Sequence, residues 1–99
     1  MTTQTVANTI LEQLGGNQFL AMTGARNLLV GDRHLSFRVT HAKNKANYVH
    51  IKLNGSDLYD VEFLNYRTNA IRTVSVHNNI YADQLRGVFE RETGLLTML

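Results

Sequence analysis

The sequence predicts an α+β fold, a two-layer sandwich in which an N-terminal and a C-terminal helix cover one face of a five-stranded, largely antiparallel sheet, in the order α-β-β-β-β-β-α. Three observations predict it. Apolar residues recur at helical spacing near both ends of the chain, whereas the middle alternates apolar and polar residues in runs rich in β-branched and aromatic side chains. Short polar segments, Asn54-Gly55-Ser56-Asp57 and Arg67-Thr68-Asn69, join these runs closely enough to make hairpins. With 99 residues the chain can bury a sizeable core but not two, so 1–99 reads as a single domain.

The first helix is expected over residues 3–14, where Val6, Ala7, Ile10, Leu11 and Leu14 line one face and Gly15-Gly16 supplies a stop. Residues 17–23, 34–41, 47–54, 58–66 and 70–77 then read as strands. The stretch 23–33 reads as an irregular connection, with a bend or bulge at Thr23-Gly-Ala-Arg-Asn27, a turn at Gly31-Asp32, and Leu28, Leu29 and Val30 packed beneath it. Its functional alternative is a binding loop displaying Arg26, Asn27 and Arg33. The closing helix is expected over 82–93, with Leu85, Val88 and Phe89 buried and Gly94 as a left-handed C-cap. The apolar Leu95, Leu96, Met98 and Leu99 are expected to dock on the chain's own core.

Paired strand residues must share a face, and this proposes a register. Val49, Ile51 and Leu53 fall opposite Phe63, Val61 and Tyr59 across a loop at 55–57. A turn at Thr68-Asn69 puts Phe63 opposite Val74 and Val61 opposite Val76, and on the other side Phe37 faces Ile51 and Leu35 faces Leu53. The outer face then reads in rows: Arg38, His50, Glu62 and Ser75; Ser36, Lys52, Asp60 and His77; Thr40, Tyr48, Leu64 and Thr73. The first two rows pair bases with acids, as an ordinary solvated face does. The third adjoins Tyr66 and Ile71, so Tyr48, Leu64, Tyr66 and Ile71 form a candidate partner-binding patch, for another protein or for a homodimer.

The formal net charge of +2 hides an asymmetry. Arg26, Arg33, Arg38, Lys43, Lys45 and Lys52 face a single acid, Asp32, in the stretch 26–52, while the rest of the chain is net acidic. The register places Arg26 and Arg33 at one end of the sheet and Lys43, Lys45 and Arg67, with Arg72, at the other. That second end, flanked by Asn44, Asn47 and Asn69, is the candidate nucleic-acid-binding site for DNA or RNA. The plainer reading of the same residues is a set of solubilising loop tips.

Several chemistries find no support. The chain has no Cys and no Pro, and the lack of Cys removes disulfides, thiol nucleophiles and Cys-based zinc sites. His34, His41, His50 and His77 lack metal-ligand spacing, with His41 expected inward and His50 and His77 outward, so no metal or cofactor is expected. Arg38, His50 and Glu62 resemble a proton relay, but a flat wet face favours an ion-pair row. No Ser sits on a nucleophile elbow and no glycine loop of a nucleotide-binding type occurs, so no catalytic residue is expected and the chain reads as a non-enzyme. No run approaches the roughly 18 apolar residues of a membrane span, and the start MTTQTVANTI lacks the basic opening of a signal peptide. A cytoplasmic protein with no membrane association is expected.

Six pieces carry a resemblance: Leu14-Gly-Gly-Asn-Gln-Phe19, Met22-Thr-Gly-Ala-Arg-Asn27, Leu35-Ser-Phe-Arg38, Asn47-Tyr48-Val49, Tyr59-Asp-Val-Glu-Phe63, and Tyr81-Ala-Asp-Gln-Leu-Arg86 continuing through Phe89 to Thr93-Gly-Leu95. Spread over nearly the whole chain, they resemble a group of small proteins encoded by phages and other mobile elements. The resemblance supplies no catalytic residues. It implies a setting in which small proteins bind nucleic acid, or bind and inhibit a host defence complex as anti-CRISPR proteins do. The expectation is therefore a non-enzymatic binding protein of a phage or mobile element, associated with nucleic acid through the basic sheet end. The alternative is a protein-binding inhibitor of a host defence complex.

Overall fold

The structure, a computed structural model, describes residues 4–97. The N-terminal apolar spacing forms helix α1 (Gln4–Leu14), with Ala7, Ile10 and Leu14 buried. Gly15 and Gly16 both hold positive φ, 129° and 63°, so the chain reverses sharply and starts again. The next element is a helix, α2 (Gly16–Thr23), and not the strand expected over 17–23. Phe19 and Thr23 lie one helical turn apart and both point inward, and the Thr23 hydroxyl donates to the Phe19 carbonyl at 2.7 Å. A period of two and a spacing of four coincide at these positions, and the good helix formers Gln, Leu, Ala and Met decide for the helix. Gly24, left-handed at φ 69°, caps it by donating its N–H to the Leu20 carbonyl.

The fifth strand comes from the stretch expected to be irregular. Strands β1 (Arg26–Val30), β2 (His34–Arg38), β3 (Tyr48–Leu53), β4 (Tyr59–Arg67) and β5 (Ala70–Ile80) pair antiparallel in sequence order. Only Leu28 of the trio expected beneath the connection packs on the core, while Leu29 and Val30 are exposed. The β3–β4 register is the expected one, Val49, Ile51 and Leu53 opposite Phe63, Val61 and Tyr59. Its loop is closed by Asn54, whose N–H donates to the Leu58 carbonyl at 2.8 Å and whose side-chain oxygen accepts from Ser56 and Leu58 N–H.

Two registers differ from expectation. Between β2 and β3, Phe37 pairs with Val49 and Leu35 with Ile51, an offset of two residues that leaves every side chain on its expected face. Between β4 and β5 the turn pairs Arg67 with Ala70 as expected, but an irregularity after Phe63 puts Ser75 opposite Phe63 and His77 opposite Val61. That slip of one turns Ser75 and His77 to the helical side and exposes Val76. His77 therefore does not face outward: its ring meets Phe63 edge-on at 6.0 Å. Nor does His41 face inward; it lies beyond β2, exposed, at φ 64°.

A short 3₁₀ turn (Ala82–Gln84) leads into helix α3 (Leu85–Thr93), ended by Gly94 at φ 73° as the sequence suggested. The layers meet at four buried phenylalanines. Phe19 of α2 packs edge-on to Phe37 of β2 at 5.3 Å and to Phe89 of α3 at 5.2 Å, and Phe63 of β4 lies 6.5 Å from Phe89. Glu92 fastens the far end of α3, accepting hydrogen bonds from the Ser75 hydroxyl and from Asn44 Nδ2 at 3.4 Å, with His77 Nε2 3.6 Å away. The Ser75 bond above all holds its carboxyl below the usual carboxylate range. Of the closing residues, Leu95 packs on the core and Leu96 is exposed; Met98 and Leu99 lie outside the described residues. Docking of this segment is polar as well, because buried Thr97 donates its N–H and hydroxyl to Glu90 Oε2 at 2.8 and 2.9 Å. No helix among the described residues is long and apolar enough to cross a membrane.

Phe89 touches the other three rings, so truncation empties the centre of the interlayer contact. Phe89→Ala is expected to cost about 3–5 kcal/mol, read as a lowered urea midpoint at unchanged m-value.

Candidate nucleic-acid interface

Charge is polarised along the strands. The end of the sheet formed by the start of β1, the end of β2, the start of β3 and the β4–β5 turn carries Arg26, Arg38, Lys43, Lys45, Arg67 and Arg72. The opposite end carries Asp32, Asp57 and Asp60, with Lys52 opposite Asp60 and Arg33 held on the Leu53 and Asn54 carbonyls at 3.2 and 3.1 Å and 3.8 Å from Asp57. Arg26 thus belongs with the basic end and not with Arg33, contrary to expectation. The sequence suggests a loop for it, and pairing in β1 carries it to the other side.

The residues singled out from sequence fall into two groups here. Tyr48 pairs with Leu64 and Tyr66 with Ile71, so these four form one patch on the face that the helices leave open. Lys43, Lys45, Arg67 and Arg72 surround the rim of that end instead. Lys43 donates its N–H to the Thr93 carbonyl at 2.8 Å and lays its stem beside Gly94, where a cation also suits the negative end of α3. Lys45, at φ 71°, offers its carbonyl to Asn65 Nδ2 at 2.7 Å. Arg72 pairs with Asn65, and Arg67 donates Nε to Asn65 Oδ1 at 2.9 Å.

The aromatic pair is held in place from below and behind. The Tyr48 hydroxyl donates to Ser36 Oγ at 3.0 Å, a bond that also explains how Ser36 is buried on the open face. The Asn47 side chain acts as a strand extension for Tyr66: its Nδ2 donates to the Tyr66 carbonyl at 2.9 Å and its Oδ1 accepts the Tyr66 N–H at 2.7 Å. The two rings meet edge to face, centroids 5.5 Å apart and planes at 61°. Beside them runs a groove of about 360 Å³ lined by Asn27, Leu28, Leu29, Arg38, Tyr48 and Tyr66. Arg38 also borders the adjoining depression that Arg67 and Asn65 line.

Arg26 and Arg38 are not in either of the groups that the sequence singles out, yet they are the most unusual part of this surface. They sit directly opposite each other across β1 and β2, and neither side chain forms an ion pair or hydrogen bond among the described residues. Like charges placed opposite on a sheet are destabilising. The expected row of Arg38 with His50 and Glu62 does not form, because the two-residue offset puts Arg38 opposite Tyr48 and leaves Glu62 to His50 and Val76. The basic run 26–52 and the bend or bulge suggested at residues 23–27 were the available signals, but neither fixes the register shift between Arg26 and Leu29 that makes the pair.

No family model, curated protein or solved structure matches this chain.

Away from the basic end the open face is charge-compensated, with His34, Lys52 and Asp60 in one row and Ser36, His50 and Glu62 in the next. The His34 and His50 rings lie 4.6 Å apart. Among the described residues no group of three His, Cys, Asp or Glu side chains could hold a metal ion. Burial first, then the neighbouring His34 and Lys52, push the His50 imidazole below its ordinary value of 6.5, against the pull of Glu62.

The unfolded chain therefore takes up a proton at this position before the folded chain does, and stability rises with pH through that window. Lowering the pH from about 7 to about 5.5 is expected to reduce the urea midpoint, and His50→Gln to make that fall shallower, leaving the remaining pH dependence to other groups.

Proposed function

We propose that this protein is a non-enzymatic binding protein that takes single-stranded DNA or RNA across the open face at the basic end of its sheet, in the phage or mobile-element setting its sequence resembles. The observation that carries this reading is the uncompensated Arg26–Arg38 pair beside two braced tyrosines. Two arginines paired across the strands without an acid leave positive charge unpartnered, and a strand's phosphate at Arg26 and base edge at Arg38 supply the missing acceptors. Aromatic faces beside a basic track are what unstacked bases bind. A duplex fits less well, since this face is a broad sheet with no element projecting into a groove. The site is open to water, which suits binding better than chemistry.

Fluorescence anisotropy with a labelled oligothymidine of about twenty nucleotides at about 50 mM salt tests the proposal. Binding is expected to weaken with salt, and Arg26→Ala to reduce the slope of log K against log salt by about 0.7, as for one lost phosphate contact on a single strand. Tyr66→Ala is expected to cost about 1–3 kcal/mol of affinity. Absence of binding at low salt overturns the reading.

A second reading, an inhibitor that binds a host protein complex, is favoured by one observation: Ile71, Leu29 and Tyr66 are 57%, 58% and 44% exposed on or beside the same face. It predicts a stable complex that survives nuclease treatment and is lost in Ile71→Asp, a change that leaves the arginines in place.

A further inference from the structure

We propose that the groove between β1 and the two tyrosines is a subsite for a single unstacked base, and that it prefers guanine. The inference rests on the nucleic-acid reading above and adds which base the site takes and which residue reads it. At about 360 Å³ the groove is at the low end of ligand pockets, which run to about 300–1,000 Å³, so it fits one ring system and not a peptide or a run of bases. Its walls are Leu28, Leu29 and the rings of Tyr48 and Tyr66, surfaces that accept the flat face of any base. Specificity must then come from the polar groups at the edge.

Those groups are few. The Tyr48 hydroxyl is bound to Ser36 and the Asn47 amide to the Tyr66 backbone, so both are already engaged within the fold. The groove also holds Arg38, its one charged group, and the amide of Asn27, set at the β1 bulge with φ 55°. A guanidinium has five donors and no acceptor. Guanine presents two adjacent acceptors, O6 and N7, to such a fork, and cytosine a second such pair, O2 and N3, on a single, smaller ring; adenine sets its amine beside N1 and N7, and thymine its N3–H between O2 and O4, so neither matches the fork. Arg38 can take this role because no carboxylate among the described residues engages it, and Arg26 directly across from it is positioned for the adjoining phosphate.

The test places one base, flanked by thymidines, at the centre of an otherwise uniform oligothymidine and measures the affinity of the intact chain for each. A central guanine is expected to bind about five- to tenfold more tightly than a central adenine or thymine, with cytosine between them. Inosine, which keeps O6 and N7, should retain the preference, and 7-deazaguanine, which lacks N7, should lose most of it. Arg38→Lys should bring the guanine-to-thymine ratio close to one, because an ammonium cannot form the fork. Equal affinity for all four bases, a preference that 7-deazaguanine retains, or one that persists in Arg38→Lys overturns this inference while leaving strand binding intact. Failure of every strand to bind overturns the parent reading together with it.

Discussion

The four-phenylalanine contact is the constraint on which the rest depends. Phe19 from α2, Phe37 and Phe63 from the sheet and Phe89 from α3 are all fully buried, Phe19 edge-on to Phe37 and Phe89, and Phe89 tilted against Phe37 and Phe63. Because these rings commit one face of the sheet to the helices, every residue of opposite parity on β2, β3 and β4 is committed to the other face. The open surface is therefore a direct consequence of the core. Tyr48, Leu64 and Tyr66 face outward because Val49, Phe63 and Asn65 face inward, and none can turn without exposing its neighbour.

Within that frame two local irregularities shape the surface. The β1 bulge brings Arg26 opposite Arg38, and the β4–β5 irregularity turns Ser75 and His77 toward α3, where Glu92 engages both. The second gives the polar contacts that fasten α3 and, through Asn44, the basic loop between β2 and β3. The first does the reverse, concentrating positive charge without a partner among the described residues. Elsewhere the fold satisfies its polar groups locally, as Asp60 is by Asn54 and Asn79, whereas the Arg pair has no acid across from it. That imbalance is what distinguishes this corner from the compensated rows of Lys52, Asp60, His50 and Glu62.

Much of this was legible from residue order. The β3–β4 hairpin could be registered to the residue because both strands alternate cleanly and the Asn54-Gly55 turn leaves one loop length. The patch of Tyr48, Leu64, Tyr66 and Ile71 came from the same alternation. Lys43, Lys45, Arg67 and Arg72 share one sheet end as expected, but as a rim: their backbone and stems serve the α3 terminus and the Asn65 cluster. The polar residues at the edge of the groove, Arg38 and Asn27, read differently in the sequence, Arg38 in a row with an acid and Asn27 in an irregular loop.

The sequence by itself determined the layers, the buried parity of β2, β3 and β4, and the glycine that ends α3. These rest on periodicity over many residues and on a left-handed backbone that favours glycine. Only the tertiary structure decided that 16–23 is a helix, that 26–30 is a strand, and that Arg26 lies against Arg38. The physical reason is common to all three. In a segment of five to eight residues, period two and one helical turn select overlapping positions, and a bulge can be suspected at a residue such as Asn27 while the register it produces is fixed only by the partner strand. Such segments are settled by the packing they find, Phe19 against Phe37 and Phe89 for the helix and the free edge of β2 for the strand.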